Sequence, residues 1–305
     1  MSFTKPPVDG GPATEPIAAP VSRVPAVVRR FLGRKISVIS LAVFVAILLF
    51  AFVGPHFWKY SFDVYTPDNS QPPSLNHPFG TDSTGYDTLA QVMRGTQRSV
   101  QIALFVALVA TAVGSVIGAV SGYYGKIVDA VTMRFVDLVL MFPSIAVAAV
   151  LAHQSLGSKT TWLTIGLVLA LLAWPIVARL VRSTALQLAK QEFVLAARGA
   201  GASDLSIIVR HIIPNSMGTI TVAVTVLTAT AILSETSLSY LGFGVQPPDT
   251  SLGLLVAGAQ SAVVTRPWIF YFPGIFIILV ALTASFIGDG LRAALDPRQG
   301  SGGQN

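Results

Sequence analysis

Six stretches of the chain, at 36–58, 99–125, 138–158, 160–178, 212–234 and 267–288, contain no Asp, Glu, Lys or Arg. A helix that crosses a bilayer needs about 20 mostly apolar residues at 1.5 Å rise each, and these runs have that length. Each is apolar all round instead of along one stripe, so each is buried or faces lipid. One such run fits the core of a large soluble protein; six within 305 residues do not. Only 11% of the residues are charged, against about 25% in soluble domains, too few to cover a water-facing surface. The sequence therefore predicts an all-α membrane protein with six transmembrane helices. The third is expected to start near Ala130 and to include Arg134 and Asp137.

Lys and Arg give the direction, because they collect on the cytoplasmic side. With the N-terminus inside, fifteen fall in inner segments and five (Lys59, Arg94, Arg98, Lys159 and Arg266) in outer ones. Both termini are thus expected in the cytoplasm. The organisation follows: a cytoplasmic tail at 1–35, a first spanning helix at 36–58, an extracytoplasmic segment at 59–98, a five-helix core at 99–290 with an internal hairpin at 188–214, and a cytoplasmic tail at 291–305. The Pro-, Gly- and Ala-rich first residues lack the early apolar run of a cleavable signal peptide. In the second outer segment, 235–266, the apolar part Leu252–Val264 reads as a re-entrant or surface helix.

Several functions are excluded. The net charge of +6 comes from basic residues lying between apolar blocks, with no patch for nucleic acid. There are no cysteines. The four histidines, His56, His77, His153 and His211, form no metal-ligand spacing, and no Ser/His/acid set suggests nucleophilic catalysis. Gly125-Lys126 is the only Gly-Lys, and Ile127 follows where a nucleotide-binding loop has Ser or Thr. The chain is expected to bind no cofactor and to have no enzymatic activity of its own.

The internal hairpin is the most informative segment. Residues 191–200 are good helix formers apart from Gly199. Gly201 can take the left-handed conformation that ends a helix. Ser203 is a good N-cap and Asp204 suits the positive end of the next helix. Pro214 punctuates the approach to the fifth span. Ala196, Ala197, Ala200 and Ala202 allow close backbone approach, and Ile207, Ile208, Val209 and Ile212 offer an apolar face to a groove. Two readings stand: an interfacial helix pair between two spans, or a knob that docks on a partner.

Polar groups inside spans are costly and usually face the bundle interior. Asp137 can pair locally with Arg134 at i, i+3 or contact the transport path or the hairpin. Thr221, Thr225 and Thr228, extended by Glu235, form a stripe on span five that either packs helices or lines a path. Gly114, Gly118 and Gly122 form a small-residue ladder for close helix packing.

The segment 192–215, E-F-V-L-A-A-R-G-A-G-A-S-D-L-S-I-I-V-R-H-I-I-P-N, resembles the EAA loop of ABC importer permeases, with Gly201 and Pro214 in register. Leu195 and His211 depart from the general pattern, as in the peptide/nickel branch, which Glu192 and Arg198 also match. His77-Pro78-Phe79-Gly80-Thr81-Asp82, Gly122-Tyr123-Tyr124-Gly125, Phe142-Pro143-Ser144, Glu235 through Gly242, and Gly288 through Arg292 resemble C-type permease subunits of the dipeptide/oligopeptide/nickel importer family. Tyr86 replaces that family's usual Arg. The resemblance implies a type I ABC importer permease bundle in a bacterial plasma membrane. It also implies a second homologous permease, two ATP-binding domains that carry ATP and magnesium, and an extracytoplasmic substrate-binding protein. The cargo it implies is peptide, dipeptides first, with nickel chelates, haem or another small molecule as alternatives; a stand-alone secondary transporter is the rival reading. By the same resemblance Glu192, Ala196, Ala197, Arg198, Gly201, Ala202, Ser203, Asp204, Arg210 and Pro214 form the ATPase-coupling element. Arg198 and Asp204 pair with the ATPase or with each other. Family resemblance places span five, with Thr221, Thr225, Thr228 and Glu235, near the translocation path, and Asp137 is the other candidate.

Overall fold

The computed structural model describes residues 23–153 and 161–295. Among them there are no strands. The helices are α1 (Arg23–Leu32), α2 (Lys35–Phe52), α3 (Thr88–Tyr124), α4 (Lys126–Met141), α5 (Ser144–His153), α6 (Thr161–Leu188), α7 (Glu192–Gly199), α8 (Asp204–Ile207), α9 (Ile213–Asn215), α10 (Met217–Tyr240), α11 (Leu252–Gly258) and α12 (Trp268–Leu295). Five of these are long and apolar enough to cross a membrane, and α4 with α5, taken as one bent pair, brings the number to six. The tails 1–22 and 296–305 and the 154–160 part of the third and fourth predicted spans lie outside the described residues.

Several helices run past or stop short of the charge-free stretches, α6 to Leu188, α10 to Tyr240 and α12 to Leu295 beyond them and α2 only to Phe52, and two departures matter most. The third span is not one straight helix: α4 and α5 meet at 77°. Pro143 has no N–H to continue the ladder, and Phe142 before it is driven to extended geometry, with φ −82 and ψ 138. The second span begins at Thr88, not Ser99, because Arg94 and Arg98 are accommodated on the helix. Both guanidiniums bond Asp249, at 2.8 and 2.5 Å.

The packing centres on α3, whose 37 residues span about 55 Å. It runs along α6, and the glycine ladder explains how closely: a β-carbon at Gly118 would sit 2.4 Å from the Ala178 carbonyl oxygen, and one at Gly122 2.7 Å from the Ala185 β-carbon. α10 and α12 pack against each other, and α10 also against α3. At the start of α3 the segment 57–87 forms a cap fastened to the bundle. The buried Asp87 carboxylate accepts from Ala90 N at 2.8 Å and Trp58 Nε1 at 3.0 Å, and it lies 2.7 Å from His77 Nδ1. Phe79 stacks on Phe272 at 3.9 Å, and Trp268 Nε1 donates to the Thr81 carbonyl. α11 tucks in at this same loop end, between α3, α10 and α12.

Candidate functional site at the hairpin end of the bundle

At the far end of α3, α7 and α8 form the helical hairpin. α7 ends in two backbone bonds, Ala202 N to Ala197 O at 3.1 Å and Gly201 N to Arg198 O at 3.0 Å, the paired pattern of a Schellman stop with a left-handed residue after the cap. Gly201 supplies that residue at φ +83. Ser203 then caps α8, accepting from Ser206 N. A π-turn at Ile208–Ile212 follows, with Ile213 N reaching back to Ile208 O. This wider turn accommodates Pro214, which has no N–H to offer.

The apolar face of the second arm points inward. Ile207, Ile208 and Ile212 are buried within this chain, and the π-turn packs on α3. They cannot fill a partner's groove, as the sequence reading had them do; of that set only Val209 stays exposed. The exposed apolar groups are Phe193, Leu195, Leu205 (71%) and Val209. Around them Glu192, Ala196, Arg198, Gly201, Ser203, Asp204, Arg210 and Pro214 are exposed, with Ala197 and Ala202 half-buried.

Tyr123, near the end of α3, joins hairpin to bundle. Its hydroxyl donates to Asp204 Oδ1 at 2.6 Å, and the Arg198 guanidinium lies 5.2 Å from its ring centroid. Arg198 and Asp204 thus converge on one aromatic side chain, a third partner that sequence reasoning did not consider. The Tyr123 hydroxyl pushes the Arg198 pKa further up, although a guanidinium is charged at physiological pH in any case. Tyr123→Phe keeps the ring and removes the bond to Asp204. We expect hydrogen exchange in 192–207 to report a loss of about 1 kcal/mol of local protection, while α3 stays unchanged; equal protection in both proteins contradicts a pinned hairpin.

Beside this joint, Arg182 forks onto Asp129, which also accepts from Ser121 Oγ at 2.7 Å. Arg179 pairs with Asp137, replacing the local Arg134–Asp137 pair expected from spacing. Two arginines one turn apart on α6 thus hold two acids of α4. Asp129 was missed, although both acids and both arginines border apolar runs and their opposite charges are the readable signal.

The five residues considered for a path divide. Thr221, Thr225 and Thr228 bond the carbonyls of Met217, Val222 and Val224 in their own helix. Thr225 packs at Gly288 of α12. Thr228 and Glu235 are buried inside this chain. Glu235 sits in a nest of serines, accepting from Ser99 Oγ at 2.9 Å and Ser239 Oγ at 2.7 Å; Ser99 also accepts from Leu252 N at 3.1 Å, fixing the start of α11. Asp137 is about half exposed. The opposite face of α10 carries Val226, Thr230, Leu233, Ser237 and Tyr240, of which Val226, Thr230, Leu233 and Tyr240 are exposed. Next to it a cavity of about 160 Å³ is lined by Ser144, Ala148, Ala173, Thr230 and Ser234 among others. Among the described residues no group of three or more His, Cys, Asp or Glu is arranged to hold a metal.

Comparison with known proteins places this geometry. Residues 114–301 match the family described as binding-protein-dependent transport system inner membrane component, and residues 26–73 match the N-terminal TM domain of oligopeptide transport permease C. The oligopeptide transport system permease protein OppC of Mycobacterium bovis is 40% identical over 277 residues, 90% of this chain and 95% of the relative. The dipeptide transport system permease protein DppC of Alkalihalophilus pseudofirmus is 34% identical over 269 residues, 88% of this chain and 87% of the relative. A chain in a structure of the MetNI methionine ABC transporter, in an inward-facing conformation, superposes with a TM-score of 0.56 at 16% identity, over 68% of this chain and 97% of that one.

Proposed function

The chain belongs to the family of binding-protein-dependent transport system inner membrane components, and from that premise we propose that it forms half of the translocation path of an ATP-driven peptide importer. Peptides, dipeptides in particular, are the cargo that the names of its relatives favour. A second homologous permease supplies the other half, and an extracytoplasmic binding protein delivers the peptide. ATP and magnesium bind two partner ATPase domains, and this chain hydrolyses nothing itself. The hairpin end lies in the cytoplasm of a bacterium with both termini, as the distribution of Lys and Arg favours.

One observation carries this reading: a hairpin seated on α3 by its buried isoleucines and by Tyr123 turns a second set of apolar side chains, Leu195, Leu205 and Val209, to the outside. Such a peg transmits force because one side is fixed and the other is open to a partner. The cargo path belongs to the face of α10 that carries the exposed Thr230, Leu233 and Tyr240 and to the adjoining, mostly apolar cavity, and not to the buried Thr228 or Glu235. The test is a single cysteine at Ala200, which is exposed beside Gly201, in cells that import peptides through this chain. We expect it to cross-link to an ATP-hydrolysing polypeptide; an exposed cysteine that captures no such partner while peptide uptake continues refutes the coupling role.

A further inference from the structure

Ahead of the first spanning helix lies a short basic helix whose position no part of the transport reading uses. α1 is strongly two-sided. Phe31 is buried against α12, where a β-carbon at Gly290 would come within 2.9 Å of its ring. This places α1 at the hairpin end, because the final residue of α12, Leu295, lies against Gly218 at the start of α10. Away from that contact, Val28 and Leu32, one turn apart, are 50% and 58% exposed, and Ile36 and Ile39 at the start of α2 are 65% and 62% exposed. Exposed apolar side chains therefore stand on both sides of the junction between α1 and the spanning helix.

The polar side is wholly basic. Arg29, Arg30 and Lys35 are exposed, Arg34 stands between them, and residues 23–62 contain no Asp or Glu. Among the described residues no carboxylate pairs with Arg29, Arg30 or Lys35. On the packed helix α12, Asp289 and Arg292 are the charged groups at this end. Arg34 at the junction is extended, with φ −100 and ψ 103, so α1 leaves the line of α2 instead of prolonging it. A short helix with a lipid-exposed apolar side and arginines beside it, continuous with a membrane span, lies in the headgroup layer. The exposed guanidiniums of Arg29 and Arg30 there attract phosphate oxygens.

We infer that α1 is an anionic-phospholipid clamp: Val28 and Leu32 enter the acyl boundary while Arg29, Arg30 and Lys35 bind the headgroup phosphates of the leaflet at the hairpin end. The partner is the bilayer's own acidic lipid, and charge complementarity together with continuity with the lipid-facing α2 selects it. The assembled transporter, purified from its membrane into nanodiscs of phosphatidylcholine with a minor fraction of phosphatidylglycerol, tests this by the lipid it retains in native mass spectrometry. The wild type is expected to enrich phosphatidylglycerol. Arg29→Gln with Arg30→Gln is expected to lose about fivefold of that preference per arginine, and Arg29→Lys with Arg30→Lys to keep most of it. Raised salt should weaken enrichment more in the wild type than in the Gln variant, which keeps only Lys35 of the three cations. Equal retention of both lipids by the wild type, or undiminished enrichment in the Gln variant, overturns the inference. So does release of an ATPase partner by the Gln variant with lipid enrichment intact, since the arginines then serve a protein.

Discussion

Replacing Gly201 by Val is expected to abolish coupled uptake while the protein still inserts and assembles. The reason is purely conformational. Gly201 stands at φ +83, and a β-carbon there meets nothing within 4 Å, so no clash spreads into the bundle. The cost is backbone strain, roughly 1–2 kcal/mol for an L-residue in the left-handed region, and more for a branched one. The chain relieves it by leaving that region, which breaks the Ala202–Ala197 and Gly201–Arg198 bonds and changes the angle between α7 and α8. A cost of that size shifts the population of the seated hairpin by a factor of about 5–30. Reconstituted transporter should hydrolyse ATP without moving peptide, or stop responding to the loaded binding protein. Gly199 is the control: it also has open space around it, but its φ is not positive and it ends α7 as an ordinary helical residue. Gly199→Ala should therefore be neutral or slightly stabilising. Normal uptake by Gly201→Val, or equal damage from both substitutions, removes the elbow from the mechanism.

These two glycines also show what a sequence can reveal. The stop at Gly201 and the cap at Ser203 are local events, each settled by a few neighbouring residues, and both are legible in the order of those residues. So are the spans, because length without charge is a property of a segment by itself. Legibility fails wherever a partner distant in sequence decides the outcome. The α3 start at Thr88 is capped locally by Asp87, but the charges of Arg94 and Arg98 that follow are offset by Asp249, 155 and 151 residues away. The isoleucines of the hairpin form an apolar face under any reading, but only the packing shows that this face turns to α3. Asp137 has a plausible partner one turn away and a real one in Arg179. Pro143 is visible in the sequence, but the 77° between α4 and α5 is not, and neither are the two ion pairs that tie α4 to α6.

Thr230→Trp is expected to cut peptide uptake by an order of magnitude or more with assembly intact, whereas Thr228→Val should leave uptake nearly unchanged. The two positions lie about 200° apart around α10, and the sequence offers a hydroxyl stripe on each side. Packing distinguishes them. Both hydroxyls bond carbonyls of their own helix, but Thr225 meets Gly288 and Thr228 is buried, so that side is consumed by helix association. Thr230 is exposed and borders the cavity of about 160 Å³ shared with Ser144 and Ser234, which an indole would fill. Because an exposed side chain can grow without forcing the core apart, overpacking, which costs about 1–3 kcal/mol in a close-packed interior, does not apply at Thr230. Thr228→Val instead keeps the shape of a packed residue and deletes one bond that the helix backbone already makes for itself. Uptake assays beside size-exclusion profiles separate transport from assembly. Should the tryptophan at 230 be harmless and the valine at 228 block transport, the path runs along the other face of the helix, and the bundle must open between α10 and α12 to admit cargo.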